Sequence, residues 1–378
     1  MAPRPTPPRT PFRYDIRTAA DVLGTNFQGY VGSEEDGSPS SARATFERRS
    51  LEGDLLGPLN ARLVAVGDVF SPAVAIGPRS IGGRGVAVST VPLDQASIFN
   101  RIDLRGELPL GYDVELYVND VLISGQTAAE QGRYEFLNVP LSPGVNVVRI
   151  VTYGPRGERK EDTRIINVSG GLLRKGESTL EFGAVDQNQP LIRFRRFQAF
   201  AGREVFARGP RVVAAVNHGV SQYLTLSAAA GSYAPRENLQ QDFAVLGART
   251  SLFGYATQAA LATNDDGGSG ATLAVAGRPF GVSTVLRHSE YRGGFIDENN
   301  LAADLMRDVR RRSEITLDGS LPLGGRILPV SLRTFRDEYV DGGSRTVASG
   351  RASAAMSGVL YSTGLDYERG SLPGSRAS

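Results

Sequence analysis

Polar and apolar residues alternate along most of this chain with a period of two, the signature of strands whose two faces meet different surroundings. Between residues 223 and 233, Leu224, Leu226, Ala228 and Ala230 face one way while Thr225 and Ser227 face the other. Ile315, Leu317, Gly319 and Leu321 oppose Thr316, Asp318 and Ser320. Leu328, Val330 and Leu332 oppose Ser331 and Arg333, and Ala348, Gly350, Ala352, Ala354 and Met356 oppose Ser349, Arg351 and Ser353. Val359, Tyr361, Thr363, Leu365 and Tyr367 then oppose Ser362, Asp366 and Glu368. From about Ser178 onward the pattern predicts a long antiparallel meander. Its connections alternate between short turns, at Leu323–Arg326 and at Ser357 and Gly358, and longer loops over 263–270 and 293–312. Only 300–311 reads as a helix, an excursion within one of those loops.

The first part of the chain divides differently. Residues 1–40 are rich in Pro, Ser, Gly and acidic residues and predict an extended or disordered arm. Residues 41–100 predict the first strands of the meander, with Gly82, Gly83, Arg84 and Gly85 in a plain turn. Residues 101–168 carry compact strands, at 101–106, 113–118, 121–124, 132–136, 145–153 and 163–168, and predict a small β-sandwich. The run Val147, Val148, Arg149, Ile150, Val151 is nearly all apolar, as a central sandwich strand requires. Residues 169–378 form the remaining meander, which stops just after a well-formed strand pattern and so reads as truncated.

Two surroundings suit such a meander: a soluble antiparallel barrel or sandwich, and a transmembrane-type barrel, whose short alternating strands give weak individual signals. The apolar face is dominated by small Ala and Gly, adequate against lipid and poor at filling a soluble core. The opposite face carries Arg333, Arg351, Asp366 and Glu368, which a watery lumen tolerates. Tyr223, Tyr233, Phe243, Tyr255, Tyr291, Tyr339 and Tyr367 lie near strand ends, where an aromatic girdle would sit. No window is apolar over the length of a transmembrane helix. Residues 1–12 lack the apolar core of a secretory signal, so either an export signal lies outside this sequence or the chain is not exported.

Composition narrows the chemistry. With 40% hydrophobic and 22% charged residues the chain is ordinary for a folded protein, while 45 Gly, 0 Cys, 2 His and 3 Met are not. Thiolate nucleophiles, disulfides and thiolate metal sites are excluded, and two isolated histidines, His218 and His288, leave little for a metal centre or a His general base. A formal charge of +2 is too small for a nucleic-acid footprint. Asn264, Asp265 and Asp266 lack the spacing of an EF-hand and read as a solvated hairpin tip. Basic runs at 193–197 and 310–312 read as solvated or lumen-facing patches. No nucleophile elbow or carboxylate pair is placed for acid–base work, so no catalytic residue, metal ligand or cofactor site is assigned.

One motif adds a family resemblance. Gly132, Arg133, Tyr134, Glu135, Phe136, Leu137, Asn138 and Val139 resemble the signature that closes a plug-domain strand in fimbrial outer-membrane usher proteins. Val114–Asn119 resembles the usher plug strand that ends in Asn-Gly, with Asp120 in place of the Gly. Residues 148–157, Gly67 with Asp68, Gly83–Gly85 and Tyr223–Leu226 resemble further usher segments. A carboxypeptidase-regulatory-like module would give a similar local pattern. The resemblance spans roughly residues 40–370. It departs from the family in having about 40 residues before the first strands, where ushers carry a periplasmic domain, and in lacking Cys.

The resemblance implies an all-β fold: a partial, antiparallel, transmembrane-type β-barrel with an inserted Ig-like β-sandwich plug. It implies a non-enzymatic pore in the bacterial outer membrane, in contact with lipid and with chaperone-bound fibre subunits. Gly132, Tyr134, Phe136, Asn138 and Val139 are then structural residues of the plug. The alternatives are a soluble or surface-exposed all-β binding protein and a plain porin or adhesin barrel.

Overall fold

A strand with one apolar and one polar face folds stably only if each face finds its own solvent, and the sheet shows which face found which. The computed structural model describes residue 12 and residues 14–33, 37–93, 101–108, 112–118, 121–126, 133–141, 144–155, 158–168, 172–194, 207–279, 282–300, 308–323, 326–356 and 359–371. The chain begins with β1 (Asp15–Val22), β2 (Thr25–Ser33), β3 (Pro39–Arg49), β4 (Leu63–Phe70) and β5 (Gly82–Ser89). There follow β6 (Arg101–Glu107), β7 (Asp113–Val118), β8 (Val121–Gln126), β9 (Arg133–Pro140), β10 (Gly144–Tyr153) and β11 (Arg159–Val168). The meander resumes with β12 (Ser178–Gln187), β13 (Gly209–Ser221), β14 (Leu224–Arg236), β15 (Leu239–Leu252), β16 (Tyr255–Asn264) and β17 (Ser269–Gly277). It ends with β18 (Ser283–Arg292), β19 (Val309–Leu323), β20 (Arg326–Tyr339), β21 (Ser344–Met356) and β22 (Val359–Ser371).

β1–β5 and β12–β22 make one antiparallel sheet of 16 strands in sequence order, with β12 paired directly to β5. β6–β11 are looped out between them as a sandwich, a four-stranded sheet β11-β10-β7-β8 facing a β6-β9 pair. No helix among the described residues is long and apolar enough to cross a membrane.

The large sheet is inverted relative to a soluble protein. On one face Val66, Val216, Leu226, Leu246, Leu261, Leu273, Leu286, Ile315 and Leu332 are all exposed. On the other, Glu47, Glu181, Arg211, Glu314, Arg333 and Asp337 are buried. Adjacent rungs make the apolar face continuous: Val216 pairs with Ala228, Ala228 with Leu246, and Leu246 with Leu261. Scattered exposed leucines are ordinary, but a contiguous apolar belt of this extent marks a surface that water does not cover.

The polar face is concave. Connections 71–81 and 293–300 touch each other although six strands, β12–β17, separate β5 from β18 in the sheet. A flat sheet would hold those strands about 34 Å apart at ordinary spacing, so the sheet wraps around both segments. Val74, Ile76 and Phe295 pack there with Val213, Tyr233, Phe243, Val245, Ala260 and Tyr291.

Several expectations are corrected. Residues 15–33 of the expected arm form β1 and β2, in register from Asp15–Gly32 to Val22–Thr25. Leu23 and Gly24 turn the chain with φ of 50° and 74°, a mirror-type hairpin turn matched to strand twist, and Phe27 packs on Phe46 at 4.9 Å. Gly82–Gly85 is strand, not turn. A Cβ on Gly83 or Gly85 would lie 2.1 or 2.0 Å from the carbonyl oxygens of Asp186 and Ala184, so glycine is what lets β12 pair there. The 263–270 loop shrinks to a tight turn, because β16 runs to Asn264 and β17 starts at Ser269, with Asn264 accepting a hydrogen bond from the Gly268 amide. Of the segment read as a helix, 309–311 belongs to β19 and 301–307 lies outside the described residues. The aromatic girdle is also only partly outward. Tyr233, Phe243, Tyr291 and Tyr339 are buried at the long-loop end, whereas Tyr223, Tyr255 and Tyr367 are exposed.

Candidate functional site

Because strand directions alternate, the connections 71–81, 188–208 and 293–308 all emerge at one end of the sheet. At that end Arg211, at the start of β13, points into the concave side and is fully buried. Its guanidinium reaches Glu298 with both ends of its fork, Nη1 donating to Oε2 at 2.9 Å and Nη2 to Oε1 at 2.6 Å. Its Nε donates to Gln187 Oε1 at 2.8 Å, and Nη1 also donates to the Arg79 carbonyl at 3.1 Å. Gln187 in turn donates to the carbonyls of Ala207 and Ala234 at 2.8 and 2.7 Å. One arginine on the wall thus ties together all three long connections.

The two inward segments are also pinned directly. Asp297 Oδ1 accepts from the Gly77 amide at 2.9 Å, and its Oδ2 accepts from Tyr291 Oη at 2.7 Å. The Glu298 amide donates to the Gly77 carbonyl at 2.9 Å, and the Arg79 amide donates to Glu298 Oε2 at 3.0 Å. Burial pushes the Asp297 carboxyl above the usual carboxylate range, against the hydrogen bonds from Tyr291, Gly77 and Asn299 that pull it down. Tyr233 Oη donates to the Ile296 carbonyl and, at 3.1 Å, to Gln241 Oε1. Such a cluster is chemically a latch. It offers no arrangement of nucleophile and base; it holds two segments across the interior of a curved sheet.

Further along the concave face, β19 and β20 carry buried ions. Arg312 Nη1 lies 3.4 Å from Asp337, and Glu314 faces Arg333 at 3.8 Å and Arg287 at 4.0 Å. Arg312 and Arg333 lie over the Phe335 ring at 4.6 and 5.1 Å.

The insert has its own core, from Leu104, Val114, Leu116, Val118, Tyr134, Phe136, Val139, Val148 and Ile150. β10 is its central strand, between β11 and β7, where the apolar run at 147–151 requires it. The motif residues Tyr134, Phe136 and Val139 are buried on β9, the two rings 5.8 Å apart, with Tyr134 opposite Gly106, Phe136 opposite Leu104 and Val139 opposite Ile102. Asn138 lies on the same strand, and Gly132 lies outside the described residues. Replacing Phe136 by Ala will cost the insert about 3–5 kcal/mol. In calorimetry the loss will confine itself to one transition, because this core shares no residue with that of the sheet.

The face of the four-stranded sheet turned away from the insert's core carries a half-buried polar network in which Tyr117 and Tyr153 both donate to Glu115 Oε2, at 2.8 and 2.9 Å. Burial, reinforced by Glu115, raises both phenols above their ordinary value. Burial pulls the Arg159 guanidinium down, and Glu161, Tyr153 and Asp366 more than offset it. Asp366 sits on β22 in the rung of the buried Arg333, a concave-face position.

Of the residues singled out by sequence, His218 and His288 each meet one serine, Ser178 and Ser313, at 2.8 Å and do not come together. Arg312 of the 310–312 run faces inward, whereas Arg310 is exposed. Arg193 is exposed, and 195–197 lie outside the described residues. Arg211, Glu298, Asp297, Tyr291 and Gln187 were not legible as a group. The available signal was that Arg211 holds an inward register position beside Val213 and Ala215.

A solved structure of the translocation pore of the P pilus usher PapC superposes on this chain with a TM-score of 0.52, at 13% identity, over 96% of this chain and 74% of that one. The fold is usher-like. A second structure of the PapC pore gives 0.51 at 11% identity, over 94% and 80%. The likeness takes in the sheet and its insert together. No family model and no curated protein matches the chain in sequence.

Proposed function

We propose that this chain is an usher-like pore of the bacterial outer membrane, through which subunits of surface fibres are assembled or secreted. In this reading β1–β5 and β12–β22 are barrel wall, residues 101–168 are the plug, and Tyr134, Phe136 and Val139, with Gly132 and Asn138 of the same motif, hold the plug together. The observation that carries the reading is the inverted sheet, apolar outside and ionic inside. A lipid bilayer supplies the partner the outer face lacks, and the strand ladders satisfy the backbone groups lipid cannot. The fold likeness to the PapC pore supports the same conclusion. The protein works without a catalytic step or cofactor. Its cargo, chaperone-bound fibre subunits, gains passage only by favouring the displaced-plug state, since a ligand shifts an equilibrium by its differential affinity alone.

Leu261 tests the reading directly. It is 66% exposed in the middle of the belt. In a lipid-facing wall Leu261→Arg will destabilise the folded barrel by about 2–4 kcal/mol, whereas at a water-facing position it would change stability by about 0.5 kcal/mol or less. Urea titration of the protein folded into phosphatidylcholine vesicles reads the difference. A neutral result there, with a soluble product on fractionation, would discard the pore.

A further inference from the structure

The outward face of β18–β22 changes character from one rung to the next. Leu286, Ile315, Thr334, Ala348 and Tyr367 form one lateral row, mostly apolar. The next row toward the long-loop end is His288, Ser313, Arg336, Thr346 and Arg369. Beyond it stand Glu290, Arg311 and Glu338. Arg310, at the irregularity between Val309 and Arg311, and Arg292, at the end of β18, flank that last row.

This patch is built and basic. Arg311 donates to Glu290 at 2.9 Å and lies 3.6 Å from Glu338, while Arg310 and Arg336 lie 3.0 and 3.5 Å from Glu338. Arg292 reaches Glu290 at 3.8 Å. Two glutamates thus serve Arg292, Arg310, Arg311 and Arg336, and Arg369 stands in the same row as Arg336, so the group keeps a positive surplus. The arginines stay accessible, with side chains 81%, 58%, 43% and 61% exposed at Arg292, Arg310, Arg311 and Arg336. Glu290 and Glu338 hold the guanidinium forks at fixed spacing, and planar forks match phosphate oxygens in pairs.

What distinguishes the patch from an ordinary charged surface is its position. Two residues along a strand span about 7 Å, so the arginine row begins one side-chain height above Leu286 and Ile315. An amphiphile with apolar tails and an anionic head fits that step; a soluble anion has no use for the apolar rows beneath. We propose that the outward face of β18–β22 binds the phosphorylated headgroup of an anionic membrane lipid, its acyl chains lying along Leu286, Ile315 and Leu332. This site rests on the membrane-spanning reading of the sheet.

The test uses the full chain in detergent, titrated in native mass spectrometry with bisphosphorylated lipid A and, separately, with phosphatidylcholine. The wild type will retain lipid A in preference to phosphatidylcholine. Arg336→Gln with Arg369→Gln will weaken lipid A binding about 30-fold and leave phosphatidylcholine binding unchanged. Both proteins will insert equally into phosphatidylcholine vesicles, as read by heat-modifiable migration. Equal binding of lipid A by the variant and the wild type, or displacement of lipid A by an equal concentration of inorganic phosphate, overturns the lipid site alone. Failure of both proteins to insert overturns the pore reading and the lipid site with it.

Discussion

Arg211→Ala will release the two inward segments from each other while leaving the strand ladders in place. The substitution strands the Glu298 carboxylate, 3% exposed in its side chain, without its bidentate partner. Removing one member of a buried ion pair costs about 3–5 kcal/mol, because the remaining charge has neither water nor a counterion. That penalty falls on segments held by few other contacts. The amides of Gly77, Arg79 and Glu298, each now bonded across the interface, will exchange with solvent about a hundredfold faster. Amides of β13 and β14 will not follow, since their ladder runs from Val212–Ser232 to Ser221–Leu224 independently of the latch. Arg211→Met combined with Glu298→Met removes both charges together and will recover much of the protection. Unchanged exchange in Arg211→Ala would mean that the aromatic packing of Tyr233, Phe295 and Tyr291 holds the segments without the ion pair.

On the pore reading proposed above, replacing residues 101–168 by a short flexible linker will convert an occluded barrel into one that conducts. The insert leaves the sheet after β5 and returns at β12, and these two strands pair directly over seven residue pairs from Glu181–Ser89 to Gln187–Gly83. The wall therefore has no gap where the insert departs, and the deletion keeps its register. On the pore reading the 16 described strands are part of a closed wall, and a closed wall of that size encloses an aqueous channel unless something fills it. Planar bilayers will show sustained open steps for the deletion and background current for the intact chain. Background current from a deletion that still migrates as a folded barrel would remove the gating role and leave the 71–81 and 293–300 segments as the occlusion. The Arg211→Ala variant, measured beside it, separates the two barriers: leak in both assigns the latch a share in holding the pore closed.

Much of the architecture was legible because period two is a local property. Leu226, Ala228 and Ala230 read as one face and Thr225 as the other; the first three are exposed and Thr225 is buried. The same holds for Ile315 against Thr316 and for Leu332 against Arg333. The sandwich strands are legible for a similar reason: breakers bound them, and β10 announces its central place through its apolar run. Legibility fails where pairing partners are distant. The 15–33 hairpin has few large apolar residues, and only its ladder to β3 and the tilted contact of Phe27 with Phe46 make it strand. Gly82–Gly85 looks like a turn until the close approach of β12 requires residues without side chains.

The aromatic residues carry the same lesson. A tyrosine near a strand end is equally suited to a bilayer interface and to a buried hydrogen bond, and local sequence does not separate the two. Tyr233 and Tyr291 turn inward because the carbonyl of Ile296 and the carboxylate of Asp297 await them on a connection some sixty and six residues away.

By itself, then, the sequence determined an all-β chain, the two faces of its strands, a sandwich inserted between two stretches of meander, and the absence of thiol chemistry. Those properties follow from residue spacing and composition. Only the tertiary structure decided that the apolar face is the outer one, that the sheet curls around residues 71–81 and 293–300, and that Arg211 joins Glu298 across that interior. The physical reason is that alternation records a difference between two faces without recording which meets solvent. A buried ion pair between residues 87 positions apart exists only once curvature has brought them together.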